Sequence, residues 1–85
     1  MEINMETVII KKEDSIIRVF GTIEKTRIKY NNFGPIHHGY KYTIHLTYPI
    51  SDDIDINTVY NIELLHEKVI FRGYISEDRK TIREY

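Results

Sequence analysis

Tyr40-Lys41-Tyr42-Thr43-Ile44-His45-Leu46-Thr47-Tyr48-Pro49-Ile50 is the stretch that decides the fold. Every even position is apolar or aromatic, and every odd one is Lys, Thr, His or Pro. Strict period-two order marks a strand with one buried and one wet side. Pro49 falls near the end, where a missing donor matters least. Tyr40, Tyr42 and Tyr48 share parity with Ile44 and Leu46, so they are expected inside, with Lys41, Thr43 and His45 outside.

The same pattern extends outward from this core. Met5–Lys11 reads as a short first strand. Lys12-Glu13-Asp14-Ser15 is a polar turn. Ile16 to Tyr30 is a long segment in which Ile17, Val19 and Ile23 share one parity while Ile28 and Tyr30 take the other. That shift predicts a bulge or strong coiling, with Gly21 as its natural place. Asn31-Asn32-Phe33-Gly34-Pro35-Ile36-His37-His38-Gly39 is loop chemistry. Beyond residue 50, Ser51-Asp52-Asp53-Ile54-Asp55-Ile56-Asn57 is an acidic connection with room for one helical turn capped by Ser51. Strands are expected over 58–65, 69–76 and 81–85, joined by charged turns at 66–68 and 77–80.

Composition agrees with this reading. Among the 85 residues are 16 Ile, 7 Tyr, 7 Thr and 3 Leu, with no Ala. β-branched and aromatic residues fit a pleated surface, and the best helix formers are nearly missing. Residues with AT-rich codons are abundant, so base composition accounts for part of this usage. It does not produce alternation. The expected fold is all-β: a five- or six-stranded antiparallel barrel, OB-like or SH3-like, or a compact sandwich, as one domain over 1–85.

Three segments in order carry a resemblance. They are Arg18-Val19-Phe20-Gly21-Thr22-Ile23-Glu24, the strand ending Leu46-Thr47-Tyr48-Pro49-Ile50, and Phe71-Arg72-Gly73-Tyr74-Ile75. The series resembles OB-type domains, including the small OB-like subunit of archaeal and eukaryotic RNA polymerases. It covers about half the chain and implies a barrel; no functional residue is carried over.

Chemistry-bearing motifs are sparse. There is no Cys, hence no disulfide, thiolate nucleophile or Cys-based zinc site. Adjacent His37 and His38 point oppositely on an extended backbone, and no Asp or Glu lies in their loop. Asp53-Ile54-Asp55-Ile56-Asn57 starts like a calcium loop, but Thr58 replaces the turn Gly and Leu64 the closing Glu. Ser15, Ser51 and Ser76 lack a nucleophile elbow, and no Gly-rich phosphate loop occurs. The expectation is therefore no enzyme, no cofactor and no metal. No run reaches the roughly 18 apolar residues of a membrane helix, and the first ten residues lack a signal peptide's basic start. A cytoplasmic protein is expected.

Charge is sorted along the chain. Net charge is −1, yet residues 11–41 hold seven Lys or Arg against three Asp or Glu. Lys25, Arg27 and Lys29 on one arm of a hairpin, and Lys41 and His45 on the other, would form a basic stripe. Phe33, His37 and His38 would crown it with rings that stack on bases. Cations interleaved with rings are the ingredients of single-strand binding on small barrels. This predicts a non-catalytic binding module acting in or against nucleic-acid machinery, with single-stranded nucleic acid or a protein of that machinery as partner and no membrane contact.

The alternative is a protein–protein module or inhibitor of a host protein. Near-neutral net charge with separated signs suits it, and small Ile- and Lys-rich proteins of this kind are often encoded by viruses or mobile elements. The strand-like ending at Tyr85 offers an edge for pairing with another sheet, including homodimerisation through that edge.

Overall fold

The computed structural model describes residues 5–29 and 38–85. They form six strands: β1 (Met5–Lys11), β2 (Ile16–Lys29), β3 (His38–Leu46), β4 (Val59–Leu64), β5 (Val69–Ile75) and β6 (Thr81–Glu84). Each lies within a residue or two of its expected place, except that the strand expected over 40–50 runs from 38 to 46. The described residues contain no helix, hence none long and apolar enough to cross a membrane.

All pairings are antiparallel, and the ring closes in the order β1-β2-β3-β6-β5-β4. Two three-stranded meanders are thus joined edge to edge. Closure satisfies the backbone groups that an open sheet leaves bare. β6 is flanked on both sides, by β3 and β5, so the edge expected at 81–85 for pairing with another sheet is already occupied. The ring also differs from the five-stranded, partly open OB barrel in having six strands and full closure.

Alternation fills the interior. Val8 and Ile10 of β1, Ile44 and Leu46 of β3, Ile62 and Leu64 of β4, Phe71 and Ile75 of β5, and Ile82 of β6 make one buried cluster. Ile50 and Ile54, from the 47–58 crossover, plug one end. The crossover is held by β6's turn: Arg79 donates to the carbonyls of Ser51 (2.8 Å) and Ile54 (2.7 Å), and its own carbonyl accepts the Ile50 N–H (2.8 Å). In place of a helix, this connection makes a turn closed by Ile54 N–H donating to the Ser51 carbonyl.

Of the two expectations at Gly21, a bulge or strong coiling, the bulge does not occur. The β2–β3 register runs unbroken from Gly21 opposite Leu46 to Lys29 opposite His38, with no bulge. What Gly21 permits is close approach: a Cβ there would stand 2.6 Å from the His45 carbonyl oxygen. Gly73 plays the same part against the Arg83 carbonyl, at 2.9 Å. Both mark where tightly coiled strands need backbone room.

Tyrosines 40, 42 and 48 do not share one environment. Tyr42 stacks on Phe71, with ring centroids 5.5 Å apart and planes at 13°. Tyr40 is exposed because the β2–β3 ribbon has passed the barrel rim by then. Tyr48 is 78% exposed: β3 ends at Leu46, so parity no longer fixes where its ring points. His45 is exposed as the alternation requires, whereas Thr43, on the outer side between Glu24 of β2 and Arg83 of β6, is half-buried.

Candidate nucleic-acid interface

In an antiparallel pair, directly opposed residues share a side of the sheet. Lys25 is opposite Tyr42, Arg27 opposite Tyr40, and Lys29 opposite His38. Lys41 is opposite Thr26, Thr43 opposite Glu24, and His45 opposite Thr22. The expected stripe therefore divides. Lys25 and Arg27 hold positions on the side that continues the barrel interior, whereas Lys41 and His45 stand on the outer side. The apparent change of face along β2 has a simple cause: past Ile23 the inner row leaves the rim, so water rather than core meets it and polar residues are tolerated. Phe33 and His37 lie outside the described residues.

The inner part of the divided stripe is internally engaged. Lys25 pairs with Glu67 at 2.9 Å and lies 5.8 Å from the centroid of the Tyr40 ring. Its hydrogen bond to Glu67 raises its pKa, so it stays cationic. Next to it, Glu6 is buried, and its carboxylate accepts the backbone N–H groups of His66 and Glu67. Parity with Val8 and Ile10 places Glu6 inward, a signal present in the sequence that charge alone obscures. These groups satisfy one another.

The outer part joins residues that the stripe did not include. Arg83 of β6 is directly opposite both Thr43 of β3 and Tyr74 of β5. The Tyr85 N–H donates to the Arg72 carbonyl at 2.8 Å, carrying the β5–β6 pairing one residue further. Lys41, Arg72, Arg83, Tyr74 and Tyr85 thus stand on one outward wall centred on β6. Lys41, Arg72, Arg83 and Tyr85 are exposed, and Tyr74 is half-buried. Among the described residues, no Asp or Glu side chain stands on the outward side of β3, β6 or β5, the nearest on the outer face being Glu24 of β2, opposite Thr43, and none of the three cations forms an ion pair. His45 lies at the border, 2.8 Å from Glu24 of β2.

Sequence reasoning missed Arg72, Arg83, Tyr74 and Tyr85 because they come from a segment whose net charge is negative. That segment's acids lie elsewhere, mostly in turns: Asp52, Asp53, Asp55, Glu67, Glu77 and Asp78. Glu84 faces inward and accepts the Tyr42 N–H at 2.9 Å. Parity within 69–75 and 81–85 was the available signal.

A groove of about 690 Å³ flanks Arg72, lined by Lys11, Lys12, Glu13, Asp14, Asp55 and Tyr60 among others. Its mixture of both signs does not select an anion. Among the described residues, no group of three or more His, Asp or Glu is placed to hold a metal ion.

Against known proteins, the chain matches no family model, no curated protein and no solved structure.

Proposed function

We propose that this barrel is a non-catalytic binding module that contacts single-stranded nucleic acid through the wall centred on β6. The observation that supports this reading is the wall of Lys41, Arg72 and Arg83, three exposed cations on strands whose outward rows hold no Asp or Glu, with Tyr74 and Tyr85 between them. Cations on a rigid sheet neutralise successive phosphates, while rings offer sequence-tolerant stacking for bases. An overall charge of −1 is no obstacle, because the field at one wall is set by the groups nearest it. In this reading the β2–β3 ribbon contributes Lys41, with His45 at the margin. Lys25 contributes little because Glu67 already partners it.

The test is fluorescence anisotropy of a labelled oligonucleotide against salt. Three phosphate contacts give a log–log slope of about −2. Arg72→Glu with Arg83→Glu is expected to weaken binding roughly tenfold or more and to flatten that slope. Salt-insensitive binding, or binding untouched by the double change, overturns the reading. A protein–protein role is favoured by a different wall, where large apolar side chains stand in water.

A further inference from the structure

We infer that the outward wall of β1 is a self-association surface, and that its occupant is a second copy of this chain. Five large apolar side chains, Met5, Ile16, Phe20, Leu65 and Ile70, stand 40 to 68% exposed on or beside this wall. At its centre Ile9 points outward by parity, yet it is only 7% exposed and lies outside the interior cluster. Its neighbours on the wall cover most of it. An apolar patch of this kind on a small soluble domain marks a contact site.

The charges identify the occupant. Ile9 is directly opposite Arg18 of β2 on one side and Glu63 of β4 on the other. One row along, Thr7 is opposite Phe20 of β2, and its carbonyl accepts the Leu65 N–H at 3.1 Å. A two-fold axis lying along β1 exchanges the β2 side for the β4 side. It sets Arg18 of one copy against Glu63 of the other, and Phe20 against Leu65. These two rows match themselves under a single operation, as an isologous interface requires, while the end row, where Lys11 would meet its own copy, relies on Glu63 to neutralise that charge. Lys11 engages one oxygen of Glu63 at 3.2 Å, leaving the second oxygen for Arg18 of the other copy. A foreign partner needs no such internal match.

This inference does not depend on nucleic-acid binding, because β1 and β6 lie on opposite sides of the ring. Two copies joined through β1 would turn their β6 walls outward in opposite directions.

The experiment is sedimentation equilibrium of the whole chain from micromolar to near-millimolar concentration, without nucleic acid. A monomer–dimer equilibrium is expected. Arg18→Glu alone and Glu63→Arg alone should each weaken the dimer about tenfold or more, since each sets like charges together. The two changes combined should restore it. Phe20→Lys should also weaken it, with the thermal midpoint little changed because Phe20 is half exposed. A monomer throughout the range overturns the inference. So does a dimer that the single reversals leave intact, or one that the combined reversal fails to restore.

Discussion

The β1 and β6 walls occupy opposite positions in one ring and obey the same alternation, yet they present different chemistry. Inward, they are alike: Val8 and Ile10 on one, Ile82 on the other, all fully buried. Outward, β1 shows Thr7 and a largely covered Ile9 between opposite charges, whereas β6 shows Arg83, with Tyr85 just past its end, among cations and rings. Closure fixes the interior of every strand but leaves each outer row free to vary. In a barrel this small, that outer row is where binding specificity can be written.

The contrast holds only while register holds, and the most disruptive change acts there. Gly21→Val puts side-chain atoms where even a Cβ stands 2.6 Å from a backbone oxygen. It should cost about 3 kcal/mol or more in urea unfolding, by overpacking that needs backbone movement. A loss below about 0.5 kcal/mol, within the range of neutral surface changes, would mean that β2 and β3 approach less closely.

A second change separates the two walls. Arg79→Ala withdraws a charged donor from the Ser51 and Ile54 carbonyls and releases the crossover beside β6. The expected cost is about 2 kcal/mol. Amide exchange should rise first around 47–58 and 76–81, with β1 amides following only global unfolding. Uniform acceleration would show that the brace belongs to the whole barrel.

Acid should act on β6's turn too. Asp78 has its pKa lowered first by the Ser76 hydroxyl and then by the Lys80 N–H, with Thr81 adding to both. A depressed carboxylate stabilises the fold above its unfolded value of 3.8, and this is lost as pH falls through the lower folded value. Asp78→Asn should therefore lower the melting temperature at pH 7 and leave it unchanged well below the folded pKa. An equal deficit at both ends would assign the effect to shape rather than charge.

The smallest effect is expected at the β4–β5 turn, which flanks the β1 wall. Lys68 adopts a left-handed backbone conformation, with φ of 58°. Lys68→Gly relieves that strain at some cost in unfolded-state entropy, for a net gain of about 0.5 kcal/mol. A destabilised variant would show that the Lys68 side chain contributes contacts of its own.

The barrel was legible in the sequence because burial writes itself in period two. Tyr42, Ile44 and Leu46 announce their side of β3 unaided. Tyr48 misled, since parity says nothing once a strand has ended. The candidate site was half legible: Lys41 and His45 fall on an outer side, but Lys25 and Arg27 are separated from them by pairing. Which residues of two strands share a side depends on register, and register is set by the hairpin's closing turn and the ring as a whole. Arg83 and Tyr74 become neighbours of Thr43 only when the second meander docks on the first, a long-range event with no local signal.

The most direct test of the central claim sets two double reversals side by side on a labelled single strand. Arg72→Glu with Arg83→Glu is expected to abolish most of the affinity and flatten its salt dependence. Lys25→Glu with Arg27→Glu should leave both close to those of the unchanged protein. The opposite pattern, with the 25/27 pair decisive and the 72/83 pair silent, would contradict the assignment of binding to the β6 wall.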